Sequence, residues 1–189
     1  MLVFILFMSA GTAETQQNKL SWSLALQSVK TGDLVSFSAP VQSMTGEQFR
    51  LVINANAACY AYVIYESPDG SDVAVLYSGA LKSGEPWYSD VLELALPRGS
   101  ESFYVIASKD EQKTLDQRVS AFAANPGSTQ RRALMNEVFR IRSDASKFRE
   151  APEKPVLMGG ASRGSGSDKN QGVEYSGVDT YVKTISIEH

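Results

Sequence analysis

The sequence predicts a mainly β fold, in which antiparallel sheets form a sandwich-like arrangement and an α-helical hairpin packs on one sheet. Three observations predict it. Short apolar segments alternate with turn residues between residues 20 and 108, which is typical of sandwiches. Two of these segments, 59–66 and 102–108, have no polar face. Between residues 109 and 149 the apolar residues recur at helical spacing instead.

The first three predicted strands alternate apolar and polar side chains, as half-buried strands do. Residues 20–29 begin this pattern with Leu20 and Trp22 on one face and Ser21 on the other. The turn-like sequence KTGD separates them from a strand at 34–40, so the two are predicted to form a hairpin. A third strand is predicted at 46–56.

The aromatic segment CYAYVIYE, residues 59–66, is apolar on both faces. The turn SPDGSD follows it, and residues 73–78 are predicted to return beside it. Residues 102–108 are a further strand without a polar face. Strands of this kind need a cover on each side. One cover is predicted to be the second sheet.

The helical hairpin is predicted to be the other cover. Ser108 and Glu111 have the spacing of a capping box at the start of a first helix. The sequence NPG ends that helix, and a second begins near Ser128. The apolar stripe of the first helix is Leu115, Val119 and Phe122, and that of the second is Leu134, Val138, Ile141, Ala145 and Phe148. We expect both stripes to pack on the sheet that contains residues 59–66.

The first residues have the features of an export signal. A short uncharged apolar run is followed by Gly-Thr-Ala, which predicts a signal peptide at residues 1–13 with cleavage after Ala13. The run is too short to cross a bilayer. No Lys or Arg precedes it, and a buried N-terminal strand or helix is the other interpretation. The signal predicts a periplasmic or secreted protein.

The remainder is predicted to be one domain with an insertion and a linker. The domain comprises residues 14–149 and 173–189, with the helical hairpin inserted at about 109–149. Residues 150–172 are rich in Gly, Ser and Pro and predict a flexible linker. Residues 178–189 alternate and predict a last strand that returns to the same sheet.

Composition limits the function. The net charge of −3 argues against non-specific nucleic-acid binding, which needs a basic surface. Cys59 is the single cysteine and predicts a small buried side chain rather than a disulfide. The only histidine is His189, the last residue, so a nucleophilic triad has no plausible base. The chain also lacks the His and Cys set of a zinc site, and no cofactor or metal is expected.

Carboxylates are the remaining candidates for chemistry. Glu66, Asp69 and Asp72 cluster at one turn, and Asp90 and Glu93 lie near another. Paired acids hydrolyse glycosides, and oxygen ligands at a turn hold calcium. A turn needs the Asp-Gly pair in any case, and that interpretation is favoured.

Four aromatic residues are candidate binding residues. Trp87 and Tyr88 lie in GEPWYSD, between turn-like residues, where an aromatic side chain serves either as the edge of a core or as an anchor for a partner. Tyr60 and Tyr62 on the aromatic strand complete the set. No catalytic residue is assigned.

The order of these elements resembles a bacterial family called domain of unknown function 4384, over residues 46–111 and the last strand. Ser78 stands where that family usually has Pro. The resemblance implies a β-sandwich-like accessory or sensing module, found in secreted proteins and attached to kinase or caspase-like domains, without catalytic residues. The matching residues are Tyr60, Tyr62, Val63, Asp69, Gly70, Leu76, Tyr77, Pro97, Gly99, Glu101, Ala107 and Ser108.

We therefore expect a non-enzymatic exported module that binds a protein or a component of the bacterial cell envelope. It is not expected to be an integral membrane protein. The alternative is a small carboxylate-dependent hydrolase that acts on envelope polysaccharide. A ligand carrier with a cavity between the sheets is a third possibility. The sequence leaves the identity of the partner and the oligomeric state open.

Overall fold

The computed structural model describes residues 20–35, 41–146, 154–157, 171–177 and 179–189. The predicted signal peptide and its cleavage site lie outside these ranges. Within them, neither helix has the length and apolar character needed to cross a membrane. The described ranges contain twelve strands and two helices.

In chain order the strands are β1 (Leu20–Ser28), β2 (Leu34–Val35), β3 (Val41–Gln42), β4 (Gln48–Ala55), β5 (Cys59–Glu66), β6 (Val73–Leu81), β7 (Trp87–Tyr88), β8 (Leu92–Glu93), β9 (Ser100–Ser108), β10 (Lys154–Leu157), β11 (Gln171–Gly177) and β12 (Thr180–Glu188). The helices are α1 (Lys113–Ala124) and α2 (Ser128–Ser146). The prediction of a mainly β chain with a helical hairpin is confirmed.

The strands form two sheets. The first sheet has the order β10-β11-β1-β4-β7, with β2 also beside β1 and β8 also beside β4. The second sheet has the order β3-β12-β9-β5-β6. The predicted hairpin of β1 and β2 is present, with Leu26 opposite Val35. The predicted return of the last strand is also correct, because β12 pairs antiparallel with β9 along its whole length.

The two sheets pack face to face around a shared apolar core, which we call the inner core. Alternate residues of β1 and β4 point into it because the side chains of a strand alternate between its faces. The pairing of β1 with β4 in the first sheet places Leu24 beside Ile53. The inner core contains Leu20, Trp22, Leu24, Leu26, Phe49, Leu51, Ile53, Ala55, Cys59, Ala61, Val63, Leu81, Leu94, Phe103, Val105, Ala107, Val173, Tyr175, Ile185 and Ile187.

A second apolar cluster, the outer core, lies between the second sheet and the helices. It uses the face of β5 and β9 that the inner core leaves free. Helix α1 contributes Leu115, and α2 contributes the stripe that begins at Leu134. The prediction that the hairpin covers this sheet is confirmed. The outer core contains Tyr62, Ile64, Val73, Tyr104, Ile106, Leu115, Leu134, Met135, Val138 and Ile141. Phe148 of the predicted stripe lies outside the described residues.

The start of α1 differs from the prediction. The helix begins at Lys113 with Gln112 at its N-cap position, and no side chain caps it. Ser108 is instead the last residue of β9, and its hydroxyl lies 3.0 Å from that of Thr180. Gln112 Nε2 also donates to Ser108 Oγ at 2.8 Å. Ser108 therefore belongs to the paired strands β9 and β12, and not to the start of the helix where the sequence pattern placed it.

The segment 150–172, which was predicted to be a flexible linker, contains strand residues where the structure describes it. Residues 154–157 form β10, and β11 begins at Gln171. The two strands pair antiparallel, with Val156 opposite Gly172. Strand β11 in turn pairs with β1. Contacts with a distant part of the chain therefore stabilise a strand in a segment whose composition does not predict one. Residues 158–170 lie outside the description.

Candidate functional site

Tyr62 is a structural residue rather than an exposed binding residue. Its side chain is fully buried under the helices. Its hydroxyl donates to Asp116 Oδ2 at 3.0 Å and accepts from the backbone N–H of Gln112 at 3.0 Å. Burial raises the pKa of Tyr62 to about 12. Because the ring is enclosed and the phenol holds the first turn of α1 on the sheet, the structure favours a structural role for Tyr62 over a binding role.

Tyr60 lies on the same face of β5, two residues from Tyr62. It is half-buried and packs at the edge of the outer core. Its neighbours across the sheet are Ser108 and Ala80. The helices thus cover Tyr60 only in part, and it lies in a different layer from the other two aromatic candidates.

Trp87 and Tyr88 form the short strand β7 at the edge of the first sheet. Trp87 is opposite Ile53 of the inner core and packs against that core, half-buried. Its ring lies 4.9 Å from that of Tyr77 in the second sheet. We call this pair the aromatic seam, because it closes one side of the sandwich between β6 and β7. The core-edge interpretation of Trp87 is therefore favoured.

The side chain of Tyr88 points to the face of the first sheet opposite that of Trp87, and it is 44% exposed. Val91 follows it on the same segment and is 42% exposed. Between them, Ser89 fixes the segment to β4. Its N–H donates to Leu51 O at 2.9 Å, and its hydroxyl accepts from Leu51 N at 3.0 Å. We call the exposed pair Tyr88 and Val91 the edge patch.

The four aromatic candidates do not form one site. Tyr60 and Tyr62 belong to the helix-covered face of the second sheet, whereas Trp87 and Tyr88 belong to the first sheet. Sequence reasoning missed Tyr77 and Val91, which accompany Trp87 and Tyr88. Tyr77 was named as part of the predicted strand 73–78 and of the family resemblance, but not as a site residue, because a pattern along one strand does not reveal which strand of the opposite sheet faces it.

The carboxylates at the turn after β5 have structural partners. Asp69 Oδ1 accepts from the Ser71 N–H at 2.9 Å and from the Ser67 hydroxyl at 2.8 Å. Hydrogen bonds from the Ser71 backbone, and then from its side chain and that of Ser67, lower the pKa of Asp69 to about 2. Glu66 Oε2 accepts from the Tyr104 hydroxyl at 2.7 Å. Asp69 therefore forms the turn and stays ionised.

The third acid of that turn, Asp72, joins it through the main chain, because its carbonyl accepts from the Ser67 N–H at 3.0 Å. Of the second acidic pair, Glu93 accepts from Gln48 Nε2 at 2.9 Å, across the pairing of β8 with β4. Across the ranges that the structure describes, no three His, Cys, Asp or Glu residues are grouped as metal ligands would be.

His189 has partners that the sequence did not reveal. Its side chain is fully buried, and its Nε2 lies 3.3 Å from Oε1 of the buried Glu101. Its Nδ1 lies 3.2 Å from the Thr45 hydroxyl. Its main chain exchanges two hydrogen bonds with Gly99. The only sequence signal was the Gly-Ser-Glu sequence at the start of β9, which does not indicate its distant partner.

The hydroxyl, imidazole and carboxylate of Thr45, His189 and Glu101 follow one another in the order that nucleophilic hydrolases use. Here the imidazole is enclosed and Thr45 lies on an exposed loop. The contacts join three separate segments at one end of the sandwich. Burial raises the pKa of the neighbouring Tyr65, and Glu101 adds to the effect. We interpret the cluster as a polar closure of that end.

Comparisons with known proteins leave the chain without an assigned family. No protein-family model matches it, and no curated protein matches it significantly.

Proposed function

We propose that the protein is an exported, non-enzymatic accessory module of the bacterial cell envelope that binds a protein partner or an envelope component. The edge patch of Tyr88 and Val91 is the proposed contact surface, with the aromatic seam behind it. The ring of Trp87 packs against the inner core and supports this surface from behind. The proposal requires no cofactor or metal, and the net charge of −3 disfavours nucleic acid as the partner.

The observation that carries the proposal is the exposure of two large apolar side chains on one short, fixed segment. Single exposed apolar residues are ordinary on protein surfaces, whereas contiguous exposed apolar surface marks interaction sites. Aromatic residues are also enriched in such sites. The Ser89 hydrogen bonds hold the segment in place before a partner arrives, which lowers the entropy that binding costs.

Two features of the sequence support the location and the class. The apolar run and the Gly-Thr-Ala motif at residues 1–13 support export to the periplasm or beyond. N-terminal sequencing of the protein from its host should then begin at Glu14. The resemblance to domain of unknown function 4384 supports an accessory or sensing role, and it rests on the order of motifs in this sequence.

The alternative function, hydrolysis of envelope polysaccharide, needs one carboxyl group that donates a proton. Asp69 has a pKa of about 2 and is ionised at neutral pH. Glu66 accepts a hydrogen bond from Tyr104. These contacts support a binding module over a hydrolase. Substitution of Glu66 or Asp72 by Ala tests the alternative, because it should abolish any polysaccharide hydrolysis that the protein shows.

The test of the proposed surface is capture from envelope extract with the immobilised protein. The double variant Tyr88→Ser, Val91→Ser should lose the captured component, which wild type should retain after washing. Val29→Ser is the matched control, because Val29 is also 44% exposed but lies at the end of β1. Equal capture by wild type and the double variant would contradict the proposed surface.

A further inference from the structure

The end of the sandwich that His189 closes exposes two large apolar side chains. Leu96 is 74% exposed and Met44 is 69% exposed, the highest values among the large apolar residues that the structure describes. Met44 lies on the loop that follows β3, and Leu96 lies on the loop that precedes β9. Contiguous exposed apolar surface marks interaction sites, so the relation between these two loops matters.

The main chain joins the two loops directly. Gly46 N–H donates to Leu94 O at 2.7 Å, and Leu94 N–H donates to Glu47 O at 3.1 Å. Met44 and Leu96 follow closely on either side of these hydrogen bonds in the chain. We call Met44 and Leu96 the end patch.

Further contacts fix these loops before any partner binds. The Thr45 hydroxyl lies 3.2 Å from Nδ1 of the enclosed His189 side chain, and the main chain of His189 is paired with that of Gly99. Gly99 in turn approaches Pro68, in the turn between β5 and β6, so closely that a Cβ atom on it would lie 2.6 Å from the Pro68 Cβ. A surface fixed in this way loses little conformational entropy on binding.

The surroundings of the end patch are acidic. The loops at this end and the last residues of β12 expose five acids against two bases. The loops are residues 28–33, 43–47, 67–72 and 93–98. The acids are Glu47, Asp69, Asp72, Glu93 and Glu188, and the bases are Lys30 and Arg98.

Neutral groups hold the two acids that adjoin the end patch. Glu47 accepts from the Ser43 hydroxyl and from the Met44 N–H, and these hydrogen bonds lower its pKa. Glu93 accepts from Gln48 Nε2 at 2.9 Å. Because hydrogen bonds from neutral donors leave the charge of a carboxylate in place, its attraction for a basic partner remains.

We propose that the end patch binds a basic, apolar segment of a partner protein. The inference rests on the proposed function, and it names the chemistry of the protein that the module binds. Apolar side chains of the segment pack on Met44 and Leu96, and its Lys or Arg side chains face the surrounding acids. Complementary charge of this kind speeds association and selects the partner. The same acids repel an anionic membrane surface.

The end patch and the edge patch lie on the same part of the chain. Val91 and Leu96 both belong to the connection between β7 and β9. Strand β8 lies between them and pairs with the start of β4, which fixes this connection to the first sheet. One partner can therefore contact both patches.

The test uses a fluorescently labelled synthetic peptide that alternates leucine and lysine. Its control is the same peptide with glutamate in place of each lysine. Fluorescence anisotropy measures the binding of each peptide to the purified protein. We expect the protein to bind the lysine peptide and not the glutamate peptide. Binding should weaken as the salt concentration rises, because salt screens exposed charges.

Variants of the end patch locate the binding. Met44→Ser combined with Leu96→Ser should weaken binding of the lysine peptide about tenfold, because both apolar contacts are lost. Phe139→Ser is the matched control, because Phe139 is 41% exposed on α2, and this variant should bind as wild type does. Glu47→Gln combined with Glu93→Gln removes two charges and should reduce the salt dependence. Thermal melting establishes that each variant is folded.

The proposal is overturned if the lysine peptide does not bind, if both peptides bind equally, or if the Met44 and Leu96 variant binds as tightly as wild type. Binding to phosphatidylglycerol vesicles that this variant loses would assign the end patch to a lipid surface instead. If the Tyr88 and Val91 variant loses the captured envelope component while the lysine peptide does not bind wild type, only the end patch is refuted. If the peptide binds and capture is unchanged, only the edge patch is refuted.

Discussion

The inner and outer cores share strands β5 and β9 but are built from different side chains. The inner core joins the two sheets through rings and aliphatic groups that contact each other, such as Phe49 and Phe103 with ring centres 6.0 Å apart. The outer core places two tyrosines under the helices with their hydroxyls bound to carboxylates. Tyr62 reaches Asp116, and Tyr104 reaches Glu66.

This difference shows how one sheet can be covered by two kinds of layer. Strands of opposite sheets are held by non-directional apolar burial, together with the main-chain hydrogen bonds within each sheet. A helix that packs on a sheet forms no ladder of main-chain hydrogen bonds with the strands. Side chains must therefore fix its position. The Tyr62 hydroxyl does this for α1, because it binds both a main-chain N–H and a side chain at the start of the helix.

The largest expected effect lies in the inner core. Trp22→Ala should lower the free energy of unfolding by about 3–5 kcal/mol, because Trp22 is fully buried and its removal leaves a cavity. Urea unfolding followed by far-UV circular dichroism measures the change. Val29→Ala, at an exposed position just after the same strand, should change it by less than about 0.5 kcal/mol.

In the outer core, Leu134→Ala should cost about 2–5 kcal/mol, because Leu134 is fully buried between α2 and the sheet. We expect one unfolding transition in this variant, as in wild type, since β5 contributes to both cores. Separate transitions for helix and sheet signals would show that the helical layer unfolds independently. The two cores would then not be coupled.

The polar link of the outer core is tested by Tyr62→Phe. This change keeps the ring and removes the hydroxyl, which leaves the N–H of Gln112 and the Asp116 carboxylate without their partner. We expect a loss of about 1–3 kcal/mol in the free energy of unfolding. Tyr60→Phe on the same face is the control, and an equal loss there would remove the special role of Tyr62.

Alkaline titration distinguishes the two buried tyrosines of the outer core, Tyr62 and Tyr104, from exposed tyrosines. Burial raises the pKa of Tyr62 and of Tyr104 from 10.0 to about 12. A raised folded-state pKa means that the stability is present below pH 10 and is lost as the pH rises toward 12. Phenolate absorbance should therefore show that Tyr62 and Tyr104 ionise late, together with Tyr65 and Tyr77, whose pKa values burial also raises. Ionisation of Tyr62 and Tyr104 at pH 10 would contradict their place in the outer core.

The smallest effect is expected at Asp69, on the exposed turn between β5 and β6. Hydrogen bonds lower its folded-state pKa from 3.8 to about 2, so the stability that it contributes is present above pH 3.8 and is lost as the pH falls toward 2. Asp69→Asn should flatten the fall in melting temperature over this interval. An unchanged slope would show that the turn does not depend on the carboxylate.

Much of the fold follows from periodicity within single segments. The strands at 20–29, 46–56, 59–66 and 102–108 and both helices were predictable, because their apolar positions extend over seven or more residues. The two-residue strands β3, β7 and β8 are too short to repeat anything. Strand β11 owes its order to pairing with β1, and that contact is invisible in a Gly- and Ser-rich sequence.

The candidate site was less predictable, for a related reason. Tyr60, Tyr62, Trp87 and Tyr88 were chosen because aromatic residues favour binding, but exposure depends on which layer covers each of them. The stripe of α2 predicted a cover for β5, and that cover is what buries Tyr62. The pairing of His189 with Glu101 joins residues far apart in the chain, and only the folded sheet brings them together.

Cys59 is enclosed in the inner core, where burial raises the pKa of its thiol. A thiol reagent can therefore reach it only while the two sheets are apart. Because it is the single cysteine of the chain, the rate of its modification in native buffer records how often the sandwich opens. The molecule thus contains its own kinetic probe of opening, without any engineered label.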